Sequence, residues 1–435
     1  MTVPTYDFLL RDGHDSDYTD LKAYKKAGGY KAVKKAHKMG PDAVVEEIKQ
    51  GTVRGRGGAG FPAGVKWGFV PKETDKPKYL VVNADEGEPG TFKDRYFLTM
   101  DPHRLIEGCI ICSMSLNIHT VYIYIRGEFF EQIRIVEKAI ADCIADGIVG
   151  ANVMGTGYKL DVYVHPGAGA YICGEETALL ESLEGKPGQP RLKPPFPAVV
   201  GVFGCPTVIN NVETLAAVPL IIEHGAKWWM DLGEEGDGGT RLVGVSGHVN
   251  KPGLYELSTG VHMDKVIHEV AGGVLEGRAI KAVIPGGSSC PVLTAEEIKD
   301  LPMTVQSLAA IDSMLGTCGI IVIAEGTCLV KCLQRISHFY AHESCGQCTP
   351  CREGTGWLAR ILDGLEAGHG KQADIDLLID VANNIGGNTI CALGDAAQLP
   401  VVSFVGKFRE DFQAHIDHGG CPFEDTALPE PEGQA

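Results

Sequence analysis

Tyr79-Leu-Val-Val-Asn83, Thr120-Val-Tyr-Ile-Tyr-Ile-Arg126 and Leu160-Asp-Val-Tyr-Val-His165 are the three runs that decide how this chain folds. Each is short and rich in β-branched or aromatic residues, and between them lie helical patterns at 103–117 and 129–146. Such alternation predicts βαβ units and a parallel sheet covered by helices. Ligands of open α/β sheets gather beyond the carboxyl ends of the strands. The segments that follow the strands therefore carry the functional argument.

The first strand runs into Asn83-Ala-Asp-Glu-Gly-Glu-Pro-Gly-Thr91. The three carboxylates of Asp85, Glu86 and Glu88 would repel a phosphate but suit hydroxyls and amides, such as a ribityl chain, a ribose or a carboxamide. A solvated acidic turn explains any one of them, less readily all three. The third strand runs into Gly167-Ala-Gly-Ala-Tyr-Ile-Cys-Gly-Glu-Glu-Thr177, where a helix is predicted to begin. Glu175 and Glu176 fall in its first turn, where a helix dipole favours carboxylates. Asn210-Asn-Val-Glu213 adds amides that could reach a ring or phosphate edge.

Upstream, residues 20–49 read as two or three amphipathic helices broken by Gly28-Gly29 and Gly40-Pro41. Arg54-Gly-Arg-Gly-Gly-Ala-Gly-Phe-Pro-Ala-Gly64 then contains G-x-G-x-x-G at Gly55, Gly57 and Gly60. Alone that pattern is weak, since no strand precedes it. Its company of Phe61, Lys66, Trp67 and Phe69 is unlike a flexible linker. Glycines allow close backbone approach to a phosphate or flat ring, and a lysine can neutralise phosphate charge.

Downstream, the proline-rich run 186–197 predicts a stiff loop wrapped over the first domain. Glu234–Gly239 reads as a Gly/acid linker. A hairpin turning at Asn250-Lys-Pro-Gly253, a helix near 264–271 and strands at 280–284 and 319–324 follow as a small ββαββ unit. Helical periodicity dominates from Cys328 onward, at 329–342, 356–364, 375–384 and 399–415, as in a helix bundle. Residues 424–435 read as an acidic tail.

The chain has 435 residues, a net charge of −17 and 14 cysteines. Length implies two or three domains, and the negative charge argues against nucleic acid as a partner. Residues 1–10 do not resemble a cleavable signal, so the cysteines read as thiols and metal ligands of a reducing compartment. No apolar stretch approaches the roughly 20 residues of a membrane helix, so membrane association is expected only through partners.

Ser344-Cys-Gly-Gln-Cys-Thr-Pro-Cys-Arg-Glu-Gly354 sets Cys345, Cys348 and Cys351 at C-x2-C-x2-C spacing. In a turn-rich loop this spacing can aim three thiolates at one cubane face. The fourth ligand must come from downstream, from Cys391 or Cys421, and a helical hairpin returning Cys391 to the loop is the simpler route. Structural zinc is the rival reading. Cys109 and Cys112, on one face of a predicted helix, read as core thiols, and the remaining cysteines as small buried residues.

Taken together and in order, Arg54–Phe69, Asn83–Thr91, Gly167–Thr177, Asn210–Thr214 and Ser344–Gly354 resemble the family of NADH-binding flavoprotein subunits of respiratory complex I. The resemblance covers essentially the whole chain. It implies an α/β multidomain protein with a Rossmann-like FMN- and NADH-binding domain (1–239), a ubiquitin-like β-grasp domain (240–327) and a C-terminal four-helix bundle (328–435) bearing a 4Fe–4S cluster. FMN would be held by Gly55, Gly57, Gly58, Lys66, Asn83, Asp85 and Glu86, and by Tyr171, Gly174, Glu175, Asn210, Asn211 and Thr214. The NADH adenine would stack among Phe61, Phe69 and Phe196. Glu88 and Glu176 would contact the nicotinamide half and the adenosine ribose, and Glu86 and Glu88 are the candidate catalytic carboxylates. Cys345, Cys348, Cys351 and Cys391 would ligate the cluster.

The implied activity is oxidation of NADH by hydride transfer to FMN, with electrons passing singly to the cluster and on to quinone. Implied partners are a thioredoxin-like 2Fe–2S subunit and a large iron–sulfur subunit, on the cytoplasmic face of an inner membrane. Related diaphorase subunits serve NAD-linked hydrogenases and formate dehydrogenases, but often carry fused cysteine modules that this chain lacks. Two further alternatives are a zinc-containing NAD-dependent dehydrogenase without flavin and a non-catalytic assembly scaffold.

Overall fold

The computed structural model describes residues 3–11 and 17–423; the tail expected at 424–435 lies outside them. The three founding runs form β1 (Tyr79–Ala84), β2 (Thr120–Ile125) and β3 (Asp161–Pro166), all parallel. Their crossovers are the helices Pro102–Leu116 and Phe130–Ala145. A fourth parallel strand, β4 (Thr207–Asn211), pairs with the other side of β1, giving the order β3-β2-β1-β4. From sequence this segment is no more than a source of amides. Its five residues end in two asparagines, which weakens the strand signal. Its place matters, because strand order reverses between β1 and β4, opening the crevice where such sheets bind ligands.

The helices Leu21–Lys26, Lys31–Met39 and Pro41–Gln50 bury apolar faces against this domain's core, as their periodicity predicts. Pro102–Leu116 packs on Val212–His224 so closely that a Cβ at Gly108 would lie 2.1 Å from the Leu215 carbonyl oxygen.

The expected hairpin forms from β5 (Thr240–Gly247) and β6 (Gly253–Ser258). β7 (Ile280–Ile284), β8 (Leu293–Thr294) and β9 (Gly319–Ala324) complete a mixed sheet of order β6-β5-β9-β7-β8. The two-residue β8 and the short helix Val305–Ala309 are additions to the expected ββαββ unit; both are too brief to show periodicity. The supposed linker Glu234–Gly239 is a tight turn that buries Asp237 between Arg56 and Arg241, at 3.0 Å from each. It ties the glycine-rich run to β5 through this pair of ion pairs.

The C-terminal region packs four helices, Leu329–Glu343, Thr349–Glu366, Gln372–Ile385 and Leu393–Lys407, with a fifth, Arg409–His418, across them. Two expectations change here. The predicted helix at 399–415 is broken at Phe408, whose φ of −128° and ψ of 36° lie outside the helical range. The predicted helix at 356–364 starts earlier, at Thr349, so Cys351 lies in its first turns instead of a loop. Pro350 therefore occupies the helix start, where its missing N–H costs nothing. No helix among the described residues is long and apolar enough to cross a membrane.

Candidate active site

Three segments close over the β1/β4 crevice: the glycine-rich run, the acidic turn after β1, and the single turn Tyr171–Gly174 after β3. At Gly57 a Cβ would come within 3.3 Å of the Asn211 Cβ, and Gly58 has a φ of +111°. The backbone thus approaches the strand end so closely that a side chain at Gly57 would press on Asn211. Asn83 Nδ2 donates to the Gly174 carbonyl (2.8 Å), tying the turn to β1.

Beneath this cradle lies a buried charge network. Lys93 Nζ meets Asp94 (2.8 Å), Glu213 (2.8 Å) and Asn211 Oδ1 (3.2 Å), and Asn211 Nδ2 donates to Asp94 Oδ2 (2.6 Å). The Thr214 hydroxyl accepts from Arg56 N (2.9 Å), while the Arg56 guanidinium reaches Asp237. Burial pushes Asp94 up to about 6 against the pull of Lys93. Burial alone would depress Lys93, but Asp94 and Glu213 hold it above its ordinary range. Asn211 and Thr214 therefore shape the floor through bonds inside the protein. None of Arg56, Lys93, Asp94 and Asp237 is a defining position of a motif in the sequence; their one local signal is charge set among glycines and apolar runs.

Two groups stand apart. Asp85 Oδ2 and Asn210 Nδ2 are buried and have no hydrogen-bond partner among the described residues. Burial lifts Asp85 to about 7, with Arg126 pulling the other way. An unsatisfied buried polar atom costs about 1–3 kcal/mol, which a ligand group reaching this acceptor and donor would recover. A polyhydroxylated chain, whose hydroxyls both donate and accept, matches the pair. The residues present thus fit the FMN expected from the sequence.

The neighbouring carboxylates differ. Glu86 is buried, with its oxygens taken by Asp94 N (2.7 Å) and Arg95 Nε (2.9 Å). Glu88 accepts from the Tyr171 hydroxyl (2.6 Å) and from Ser289 N on the second domain (2.8 Å), and burial raises its pKa. Glu175 caps the helix Glu176–Leu183, accepting from Thr177 N (2.8 Å) and Ala178 N (3.0 Å). Glu176 is clasped by Lys66 (3.1 Å) and by Lys193 (2.9 Å) of the proline-rich strap. Burial would raise its pKa, but the two lysines outweigh that and hold it low. Phe61 and Phe69 are 47% and 57% exposed, with ring centroids 6.0 Å apart. Phe196 is 59% exposed on the strap.

Cys345, Cys348, Cys351 and Cys391 line one cavity, with Ser344, Gln347, Thr389, Leu393, Gly394 and Ile172. The hairpin of Thr349–Glu366 and Gln372–Ile385 carries Cys391 back to the triple motif. Ile390 N donates to Cys348 Sγ (3.3 Å), and Ser344 Oγ lies 3.1 Å from Cys351 Sγ. Cys421 lies elsewhere, beside Cys328, Glu366 and His415. Four thiols around a cavity match the donor set of a 4Fe–4S cluster. The turn Tyr171–Gly174 walls both sites: Gly174 receives the Asn83 bond, and Ile172 faces the cysteines.

A nucleotide-type crevice separated by one turn from a four-thiol cavity defines a class, the flavin- and cluster-carrying electron-transfer proteins. Comparison with known proteins narrows it. The Nuo51 FMN-binding domain matches residues 48–220, the SLBB domain 241–320, and the NADH-ubiquinone oxidoreductase-F iron-sulfur binding region 331–415. The F 2 subunit of NADH-quinone oxidoreductase from Rhizobium meliloti (strain 1021) is 51% identical over 416 residues, covering 95% of this chain and 99% of its own. The corresponding F subunit from Mycobacterium bovis (strain ATCC BAA-935 / AF2122/97) is 48% identical over 429 residues, covering 97% and 96%. A crystal structure of an NAD+-reducing [NiFe]-hydrogenase in the H2-reduced state superposes with a TM-score of 0.82 at 34% identity, over 92% of this chain and 67% of that one. The chain belongs to the family of NADH-quinone oxidoreductase F subunits.

Proposed function

We propose that this chain oxidises NADH at the β1/β4 crevice and delivers the electrons to the four-cysteine cavity, as the electron-input component of a respiratory NADH:quinone oxidoreductase. It is an NADH dehydrogenase flavoprotein subunit carrying FMN and a 4Fe–4S cluster. The observation that carries the reading is that Asp85 Oδ2 and Asn210 Nδ2 are buried without protein partners among the described residues, while the turn Tyr171–Gly174 links the end of β1 to the cysteine cavity.

When bound, FMN and the 4Fe–4S cluster supply a two-to-one-electron conversion, hydride acceptance by the flavin and single-electron acceptance by the cluster. Everything else is done by the chain's own residues. The glycine-rich run offers backbone at close range, with Lys66 at its end as the cation for a phosphate. Asp85 and Asn210 bind hydroxyls or carbonyls, and Asn83 holds the turn that forms the far wall. Phe61, Phe69 and Phe196 offer exposed faces for an adenine. Glu88 orients the Tyr171 hydroxyl, and its raised pKa suits a group that shares a proton there. Glu176, kept ionised by its lysines, faces a ribose.

A thioredoxin-like 2Fe–2S subunit and a large iron–sulfur subunit are the expected neighbours, held at the cytoplasmic face of the membrane. The diaphorase alternative is weaker, because the NADH-quinone oxidoreductase subunits match end to end at about half identity. The test is anaerobic titration of the purified chain with NADH. Flavin absorption should bleach with ferricyanide reduction following. A colourless protein, or one whose flavin ignores NADH, would refute the proposal.

A further inference from the structure

At the end of the helical region away from the four-cysteine cavity, a second group of ligand-type side chains converges. Cys328 precedes the helix Leu329–Glu343 as its N-cap, and Glu366 ends the helix Thr349–Glu366. His415 lies in Arg409–His418, and Cys421 follows the Gly419-Gly420 turn. A 15-residue helix is roughly 22 Å long, and Leu329–Glu343 has Cys328 before it and Cys345 just beyond it. The two cysteine groups are thus about a helix length apart.

The ligand atoms of the four residues all lie within 4.8 Å of one another. Cys328 Sγ is 3.2 Å from Glu366 Oε1 and 3.4 Å from His415 Nε2, and that nitrogen is 2.9 Å from Glu366 Oε1. Zinc binds sulfur at about 2.3 Å and nitrogen or oxygen at about 2.0–2.2 Å, so the edges of its tetrahedron are roughly 3.3–3.8 Å. Three of the edges therefore need only a slight expansion to admit an ion. The second nitrogen of His415, Nδ1, donates to the Asp411 carbonyl oxygen (2.7 Å), so loss of the proton that Nε2 shares with Glu366 (2.9 Å) would turn the Nε2 lone pair into the group. Lys331 N donates to Cys328 Sγ (3.2 Å), which fixes the direction of the sulfur. Lys281 Nζ lies nearby, 2.6 Å from Asp411 and 4.6 Å from the Phe423 ring, offsetting part of the anionic charge.

Hydrogen bonding without an ion accounts for Cys328, Glu366 and His415. Cys421 Sγ joins them in the same space beside Cys328 and donates a long hydrogen bond (3.7 Å) to the Phe423 carbonyl, so that two sulfurs, an imidazole and a carboxylate share one point. We propose that Cys328, Glu366, His415 and Cys421 form a closed tetrahedral site for a structural zinc ion, distinct from the 4Fe–4S site. Two sulfurs, one imidazole and one carboxylate are ligands zinc accepts, and four protein ligands leave no open position for catalysis. The ion would fasten four separate chain segments at the far end of the helices.

The test uses the full chain, purified with its flavin and cluster. Elemental analysis should find about one zinc per chain beside the cluster iron. Cys421→Ser and His415→Gln should each lower zinc several-fold, while iron, flavin and NADH–ferricyanide activity remain. Zinc absent from wild-type protein even after dialysis against zinc sulfate would overturn the proposal, as would zinc unchanged in both variants. X-ray absorption of the wild-type zinc gives a reading that needs no variant. Two sulfur and two nitrogen or oxygen neighbours support the site, whereas four sulfurs would place the zinc among Cys345, Cys348, Cys351 and Cys391 and overturn it.

Discussion

Replacing Asp85 by Asn should stabilise the flavin-free protein at alkaline pH while weakening its hold on flavin. Burial lifts the folded Asp85 to about 7, whereas an unfolded aspartate titrates near 4, so the folded state binds the extra proton between those values. Stability therefore falls as pH rises through that window. The full shift is about 3 units, or roughly 4 kcal/mol at about 1.4 kcal/mol per unit, of which about 2–3 kcal/mol falls between pH 5 and 8. Asn keeps the shape without the titration, so the variant's advantage over wild type should widen by that amount. For a domain of this size that is on the order of 5–10 °C in the unfolding midpoint. The variant also loses a charged acceptor at Oδ2, worth about 1.5–3 kcal/mol, or roughly 10- to 100-fold in FMN affinity. Differential scanning fluorimetry at both pH values and flavin titration measure the two effects. A stability gap that stays flat with pH, or wild-type FMN affinity in the variant, would refute the reasoning.

Four other outcomes are expected. Cys391→Ala should abolish the reduced-cluster EPR signal and leave flavin bound, because only this downstream cysteine shares the cavity of the triple motif; a surviving signal would overturn that. Phe196→Ala should raise the KM for NADH with little change in kcat, stacking being worth roughly 1–3 kcal/mol per base; collapse of kcat alone would assign the ring another role. Glu176→Gln should raise the NADPH-to-NADH efficiency ratio. Repulsion from a 2′-phosphate at about 4 Å is on the order of 4 kcal/mol before screening, but Lys66 and Lys193 offset much of it, so about threefold to tenfold remains. An unchanged ratio with a slightly lower Tm would leave Glu176 only the helix dipole. Gly108→Ala should lower stability by about 1–3 kcal/mol, since the added methyl meets backbone at 2.1 Å; an unshifted Tm would show that the two helices yield freely.

What the sequence revealed follows from the range of the forces involved. β1, β2 and β3 were legible because each is continuous and bordered by amphipathic helices, so local periodicity carries the message. The glycine and cysteine motifs were legible because their geometry is set within a dozen residues. β4 was not, since Thr207–Asn211 becomes a strand only by pairing with β1, more than a hundred positions away. Asp237 looked like part of a linker for the same reason: its partners Arg56 and Arg241 come from opposite sides of a domain junction. The Cys351 helix began earlier than expected because proline, a breaker within helices, is tolerated at their start. Cys328, Glu366, His415 and Cys421 show no motif spacing at all, and only folding draws them together.

The proline-rich strap and the cradle floor are both fastened by ion pairs, yet they will answer differently to ionic strength. Lys193 grips Glu175 and Glu176 (3.0 and 2.9 Å) with about a third of its side chain in water, where mobile ions within a Debye length of about 8–10 Å weaken attraction. Lys93, Asp94 and Glu213 have almost no exposed surface, so salt has little access to them. Concentrated electrolyte should therefore loosen the Lys193 end of the strap, Arg191 keeping its more enclosed pairs with Glu181 and Glu184, while the floor beneath keeps its shape. The crevice would gain a looser rim over an unchanged base, and nucleotide exchange would quicken before flavin retention suffered.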